Sequence, residues 1–123
     1  MSLTTVLKAS TVIGTGYALN CLLMTDQYLK DQGIASTNET KYLVRGLAGG
    51  VVGIVVATYH AAFGNFGDEM KKAIAMANIS AFSLWTLSSV NQVVNIATKE
   101  KGPKVDLAIC TVMLSSFVGA MVM

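Results

Sequence analysis

The sequence predicts an all-α protein, an integral membrane four-helix antiparallel bundle with short loops. Three observations carry this. Four stretches, 9–25, 46–67, 73–98 and 107–123, contain no Asp, Glu, Lys or Arg and run 17, 22, 26 and 17 residues. A helix needs roughly 20 largely apolar residues to cross a hydrocarbon core of about 30 Å. All 16 charged side chains fall before, between or at the edges of those stretches. Finally, charged residues make up 13% of the 123 and hydrophobic ones 53%, where a soluble domain carries about 25% charge; the mean hydropathy is +0.56.

Four helices and three short connections use nearly the whole length, so residues 1–123 form a single domain with spans near 5–25, 43–64, 73–97 and 105–123. No room remains for a soluble catalytic module. The net charge of +2 is too small and dispersed for nucleic-acid binding. Lys8 precedes an apolar stretch, but no A-x-A-like cleavage site follows and Ala18-Leu19-Asn20-Cys21 makes a poor lipobox. The first span is therefore expected to be retained rather than removed as a leader.

The first helix begins near Leu3 and meets no breaker before Gly33, so it is expected to continue as an amphipathic tail to Gln32. Ser36-Thr37-Asn38-Glu39 reads as a capping box that opens the second helix, with Tyr42 at the interface. Gly64-Asn65-Phe66-Gly67-Asp68 closes it, and Asp68 is placed to cap the third helix, with Asp68 and Glu69 at the positive end of its dipole. The third helix is expected to run to about Lys101, with Gly102-Pro103 as its stop. The fourth takes the remainder.

Short connections make neighbouring helices antiparallel. Loops one and three then carry Lys30, Lys41, Arg45, Lys99, Lys101 and Lys104, and the opposite face Lys8, Lys71 and Lys72. The positive-inside rule puts both termini on the non-cytoplasmic, or non-matrix, side. The sequon Asn38-Glu39-Thr40 lies in the first loop, against that orientation, and a second, Asn78-Ile79-Ser80, falls within a span.

Helix packing is most legible in the second span. Gly49, Gly53, Ala57 and Ala61 recur every four residues, with Gly46 and Gly50 in a parallel row. Small residues let helices approach closely in lipid, so this stripe is expected to face another helix, in this chain or in a partner. Gly14 and Ala18 make a shorter row on the first helix, its expected neighbour. Amides in hydrocarbon need partners, and Asn20, Arg45, Ser88, Asn91, Gln92 and Asn95 all map to one leaflet by this threading. They are expected to form one polar network or, more sharply read, to line a hydrated cavity for a polar headgroup or small solute.

His60, the single histidine, has three readings. It hydrogen-bonds Asn78 or Ser80, it ligates a chlorophyll magnesium, or it shares in a haem that this chain alone cannot complete. No carboxylate falls within the charge-free runs, which disfavours a proton relay. Cys21 and Cys110 are expected near one face, conceivably bridged but more simply two small buried residues. No carboxylate stands ready to orient His60 against a nucleophile, and phosphate-cradling loops and zinc spacings are lacking.

These observations point away from an enzyme. They favour an accessory subunit of a larger organellar membrane complex, respiratory or photosynthetic, in an inner or thylakoid membrane. A small oligomeric carrier or channel for a neutral or zwitterionic solute is the alternative, and a pigment- or lipid-binding protein acting through His60 is a third. No cofactor is required, bound lipid or a chlorophyll at His60 being the candidates. Partners are membrane lipids and other membrane subunits or copies of the chain, not nucleic acid.

Overall fold

A computed structural model describes residues 2–96 and 99–122. Five α-helices follow one another: α1 (Leu3–Leu23), α2 (Thr25–Asp31), α3 (Asn38–Phe63), α4 (Asp68–Asn91) and α5 (Lys101–Val122). A π-helical turn, Gln92–Ile96, extends α4. No strand occurs among the described residues. Four helices, α1, α3, α4 with its π turn, and α5, are long and apolar enough to cross a membrane. Positions 97 and 98, which end the third charge-free stretch, and Met123 lie outside the described residues.

The first helix does not run unbroken to Gln32. Ser2 caps α1 by accepting from the Thr5 amide at 3.2 Å, and the helix stops at Met24, whose φ of −123° and ψ of 45° are not helical. The Thr25 hydroxyl donates to the Cys21 carbonyl at 2.6 Å. The break lets α2 fold back and bury Tyr28 and Leu29 beside Cys21, Val44 and Ala48. A straight helix would carry those two side chains away from that cluster. Gly33 then ends α2 as the sequence indicates. Its φ is +71°, and the Gly33 and Ile34 amides donate to the carbonyls of Lys30 and Leu29 at 3.0 and 2.9 Å, which is a Schellman motif.

Three further boundaries differ from expectation. The capping box of α3 is Thr37 with Thr40, not Ser36 with Glu39; the Ser36 hydroxyl instead donates to Asp26 at 2.5 Å. Gly67 is the N-cap of α4, and Asp68 is its first residue with no side-chain cap bond. Gly102 and Pro103 sit in the first turn of α5, where proline's missing N–H is no loss because those amides have no helical acceptor. They open a helix rather than close one.

Two apolar clusters hold the helices. Val6 and Leu7 of α1 meet Ala61 and Ala62 of α3, Ala75 of α4, and Met113 and Phe117 of α5. The end of α1 and α2 meet the start of α3 in the second cluster. Gly14 of α1 lies against Val55 of α3, so that an added Cβ would stand 2.6 Å from its Cγ2. Outside these clusters large apolar side chains point outward, among them Val12, Leu23, Leu43, Leu84 and Leu87.

Candidate functional site

The site forms where α1, α2 and α5 meet. Gly102, in the first turn of α5, packs on the backbone of Asp31, and an added Cβ would overlap the Asp31 carbonyl. This close approach sets α5 against the end of α2 and brings Gln32 beside Asp106, one turn further along α5. Asp106 is only 6% exposed. Its Oδ1 accepts from the Tyr17 hydroxyl at 2.5 Å, and its Oδ2 accepts from Gln32 Nε2 at 2.7 Å. The Tyr17 ring in turn lies 5.4 Å from that of Trp85 on α4.

Two cavities flank this carboxylate. One, of 510 Å³, is lined by Tyr17, Asn20, Tyr28, Asp31, Lys101 and Asp106, among others. The other, of 500 Å³, is lined by Gln32, Trp85, Ser88, Gln92 and Asp106 together with apolar side chains of α3 and α4. Tyr28, Gln32 and Asp106 belong to both walls. Lys101 lies 3.9 Å from Asp31 at the edge of the first cavity. In the wall of the second, Gln92 Oε1 is buried without a hydrogen-bond partner among the described residues. Volumes of this size suit a small organic ligand.

A second buried polar cluster lies deeper. Ser10 donates to Asn78 Oδ1 at 2.6 Å, and Asn78 Nδ2 donates to Thr58 at 3.0 Å and to the Ile74 carbonyl at 2.9 Å. Asn78 thereby ties α1, α3 and α4 together with both its amide atoms satisfied. This is interhelical glue.

The residues singled out from sequence are dispersed. Asn20 lines the first cavity, and Ser88 and Gln92 the second. Arg45, Asn91 and Asn95 are exposed, and the hydrogen bond found within the group joins Asn95 to Asn91 at 3.0 Å on one helix face. The expected network across helices is thus replaced by Tyr17, Gln32 and Asp106, because α2 folds back and puts Tyr28 and Gln32 in the intervening space. Gly46, Gly49, Gly50 and Gly53 have no atom within 4 Å of an added Cβ and are exposed, as is Ala57. Ala61 alone of the stripe enters the core. Gly50 borders the second cavity opposite Ala81, Leu84 and Trp85 of α4, whereas Gly46, Gly49 and Gly53 meet no other helix within that distance, and α1 meets α3 on another side through Gly14 and Val55.

His60 is exposed, beside Tyr59 at 5.5 Å and Phe66 at 6.4 Å between ring centres. Asn78 is occupied elsewhere, and the Ser80 hydroxyl donates to the Met76 carbonyl. Cys21 and Cys110 are buried free thiols. Among the described residues no three His, Cys, Asp or Glu side chains converge. The expectation that the spans hold no Asp or Glu fails at Asp106, which is buried in the second turn of α5. One sequence signal could have found it: Asp106 adjoins the charge-free run 107–123, and reading Gly102-Pro103 as a helix start places it inside the second turn.

Comparison with protein-family models, with curated proteins and with solved structures finds no match to this chain.

Proposed function

We propose that the chain is a non-catalytic accessory subunit of a larger membrane protein assembly. It spans the bilayer four times as an antiparallel bundle, with α2 at the interface. The single observation that carries this reading is the open glycine face of α3. Gly46, Gly49 and Gly53 leave the surface open, with nothing within 4 Å of any of the three Cβ positions. Lipid gains nothing from such a face, and each glycine lowers helix propensity by about 1 kcal/mol. Another helix gains close van der Waals contact from it.

Supporting features are the length and hydropathy of the four helices and the apolar residues on the outside of the bundle, such as Leu84 at 69% and Val112 at 64% exposure. In water, so much exposed apolar surface is unfavourable. The six-to-three distribution of basic residues orients both termini away from the cytoplasm or matrix, and an organellar respiratory or photosynthetic membrane is the setting this reading favours.

Purification from the native membrane in mild detergent tests the proposal. A stoichiometric second subunit should co-migrate, and Gly49→Leu or Gly53→Leu should release it without lowering the thermal midpoint of the isolated chain. Migration of the natural chain alone, at its own mass of 13.0 kDa plus detergent, overturns it.

A further inference from the structure

Asp106 is a buried carboxylate whose two hydrogen-bond donors, a phenol and an amide, are both neutral. The ion pairs among the described residues are Lys41 with Asp26 and Lys101 with Asp31. Among the described residues no cationic side chain pairs with Asp106. Removing a carboxylate from water is costly unless an opposite charge compensates it, and two of its roughly four lone-pair sites remain open.

The surrounding cavities specify what would compensate it. Asp31, Lys101 and Asp106 are the charged groups on the first wall, and Asp106 is the one on the second, so each wall carries a net single negative charge. The wall of the second cavity also includes Gln92, whose Oε1 is buried with no hydrogen-bond donor among the described residues. It sits in a π-helical turn, an irregularity that recurs at functional sites. Trp85 and Tyr28 give the same cavity aromatic faces, which attract organic cations. A bare metal ion fits poorly, since no cluster of three ligating side chains is present among the described residues and 500 Å³ far exceeds one ion. An alkylammonium group answers every demand: one positive charge, three N–H donors and no acceptor.

We infer that the paired cavities bind the ammonium group of an organic amine, with Asp106 as its counter-ion and Gln92 Oε1 as a second acceptor. Tyr17 and Gln32 hold the carboxylate in place between the two cavities. The chemistry is shared by free alkylamines and by the headgroups of ethanolamine phospholipids. This site goes beyond the accessory role, and its test requires no partner subunit.

Trp85 is the single tryptophan and lines the cavity, so its emission reports occupancy. The full chain in mild detergent is titrated with n-butylammonium, and with n-butanol as the neutral counterpart. A saturable change with the amine and none with the alcohol is expected. Asp106→Asn should weaken binding at least about tenfold, the usual consequence of losing a charge-assisted contact. Gln92→Leu, which leaves Tyr17, Gln32 and Asp106 undisturbed, should weaken it several-fold.

A second arm uses vesicles of phosphatidylcholine with and without phosphatidylethanolamine. A Trp85 response to phosphatidylethanolamine that Asp106→Asn abolishes assigns the lipid headgroup, and a response to butylammonium alone assigns a free amine. Equal responses to butylammonium and butanol overturn the proposal, as does no saturable response to either amine source. So does unchanged affinity in Asp106→Asn or, where that variant does not fold, in Gln92→Leu.

Discussion

Tyr17 and Asp106 stand 89 positions apart in the chain and meet through a 2.5 Å hydrogen bond that ties the middle of α1 to the second turn of α5. The same tyrosine ring lies 5.4 Å from the ring of Trp85, so one side chain touches three of the long helices. Its hydroxyl is also one of two donors, among the described residues, to a carboxylate that is only 6% exposed.

Tyr17→Phe separates these roles, because it keeps the ring beside Trp85 and removes the donor. Asp106 would retain Gln32 alone. A hydrogen bond to a charged group contributes about 1.5–3 kcal/mol, so the variant should unfold at a lower temperature in mild detergent by an equivalent amount. Tyr42→Phe, at a residue that is 78% exposed, should lie within about 0.5 kcal/mol of the natural chain. Equal stability of the two variants would remove Tyr17 from this account.

Asn78 makes a second test because its amide serves α1 and α3 at once. Interhelical hydrogen bonds of this kind contribute about 0.6 kcal/mol on average and up to about 1.7. Asn78→Leu should therefore cost about 1–3 kcal/mol in thermal unfolding, including the overpacking at a residue that is 2% exposed. Asn95→Leu, whose bond stays within one exposed helix face, should cost less than about 0.5 kcal/mol.

That contrast shows where the sequence is legible. Charge-free runs locate all four long helices, because an unpaired charge is costly in a helix long and apolar enough to cross a membrane. Gly33 marks the end of α2, because its φ of +71° strongly favours glycine. Asn78 and Asn95 look alike in sequence, and only the packing separates the one that bridges helices from the one that does not. Asp106 was misplaced for a different reason. Gly-Pro reads equally as the end of one helix or the first turn of the next, and the first reading leaves Asp106 at the mouth of the last helix where the second places it a full turn inside. The polar cavity was hidden by α2, since nothing local to Met24 signals a break that burial of Tyr28 and Leu29 favours from a distance.

Gly102→Ala tests that packing directly. The added methyl would overlap the Asp31 carbonyl, which is backbone and has little freedom to yield. Overpacking costs about 1–3 kcal/mol, and moving α5 off α2 should also lengthen the contact between Gln32 and Asp106. Gly119→Ala, on the same helix with nothing within 4 Å, should be neutral or stabilising by up to about 1 kcal/mol.

The loop before α3 should respond to acid. Asp26, outside the four long helices, accepts from the Ser36 hydroxyl at 2.5 Å and lies 3.2 Å from the Lys41 ammonium. The Ser36 hydrogen bond, then Lys41, hold its carboxyl below the usual carboxylate range. A lowered folded value means that the contribution is present above the ordinary carboxylate value, about 3.9, and is lost as pH falls through the folded one. Hydrogen exchange across 33–37, corrected for intrinsic rates, should show protection falling as the pH drops below that range. Asp26→Asn should show no such step.

The last prediction sets two glycines of similar sequence context against each other. Gly14 and Gly53 both belong to small-residue rows on apolar helices, yet Gly14 faces Val55 at a distance that leaves no room for a methyl, while Gly53 faces open space. In the isolated chain, Gly14→Ala must displace Val55 from its rotamer at about 0.5–1.5 kcal/mol, offsetting any gain in helix propensity. Gly53→Ala keeps that gain, up to about 1 kcal/mol. The thermal midpoints of the two variants in detergent should thus move apart, with Gly53→Ala the higher. If Gly53→Ala were instead the more damaging in the isolated, monomeric chain, the glycine face of α3 would already be packed against this chain's own helices, and the case for a partner would lose its carrying observation.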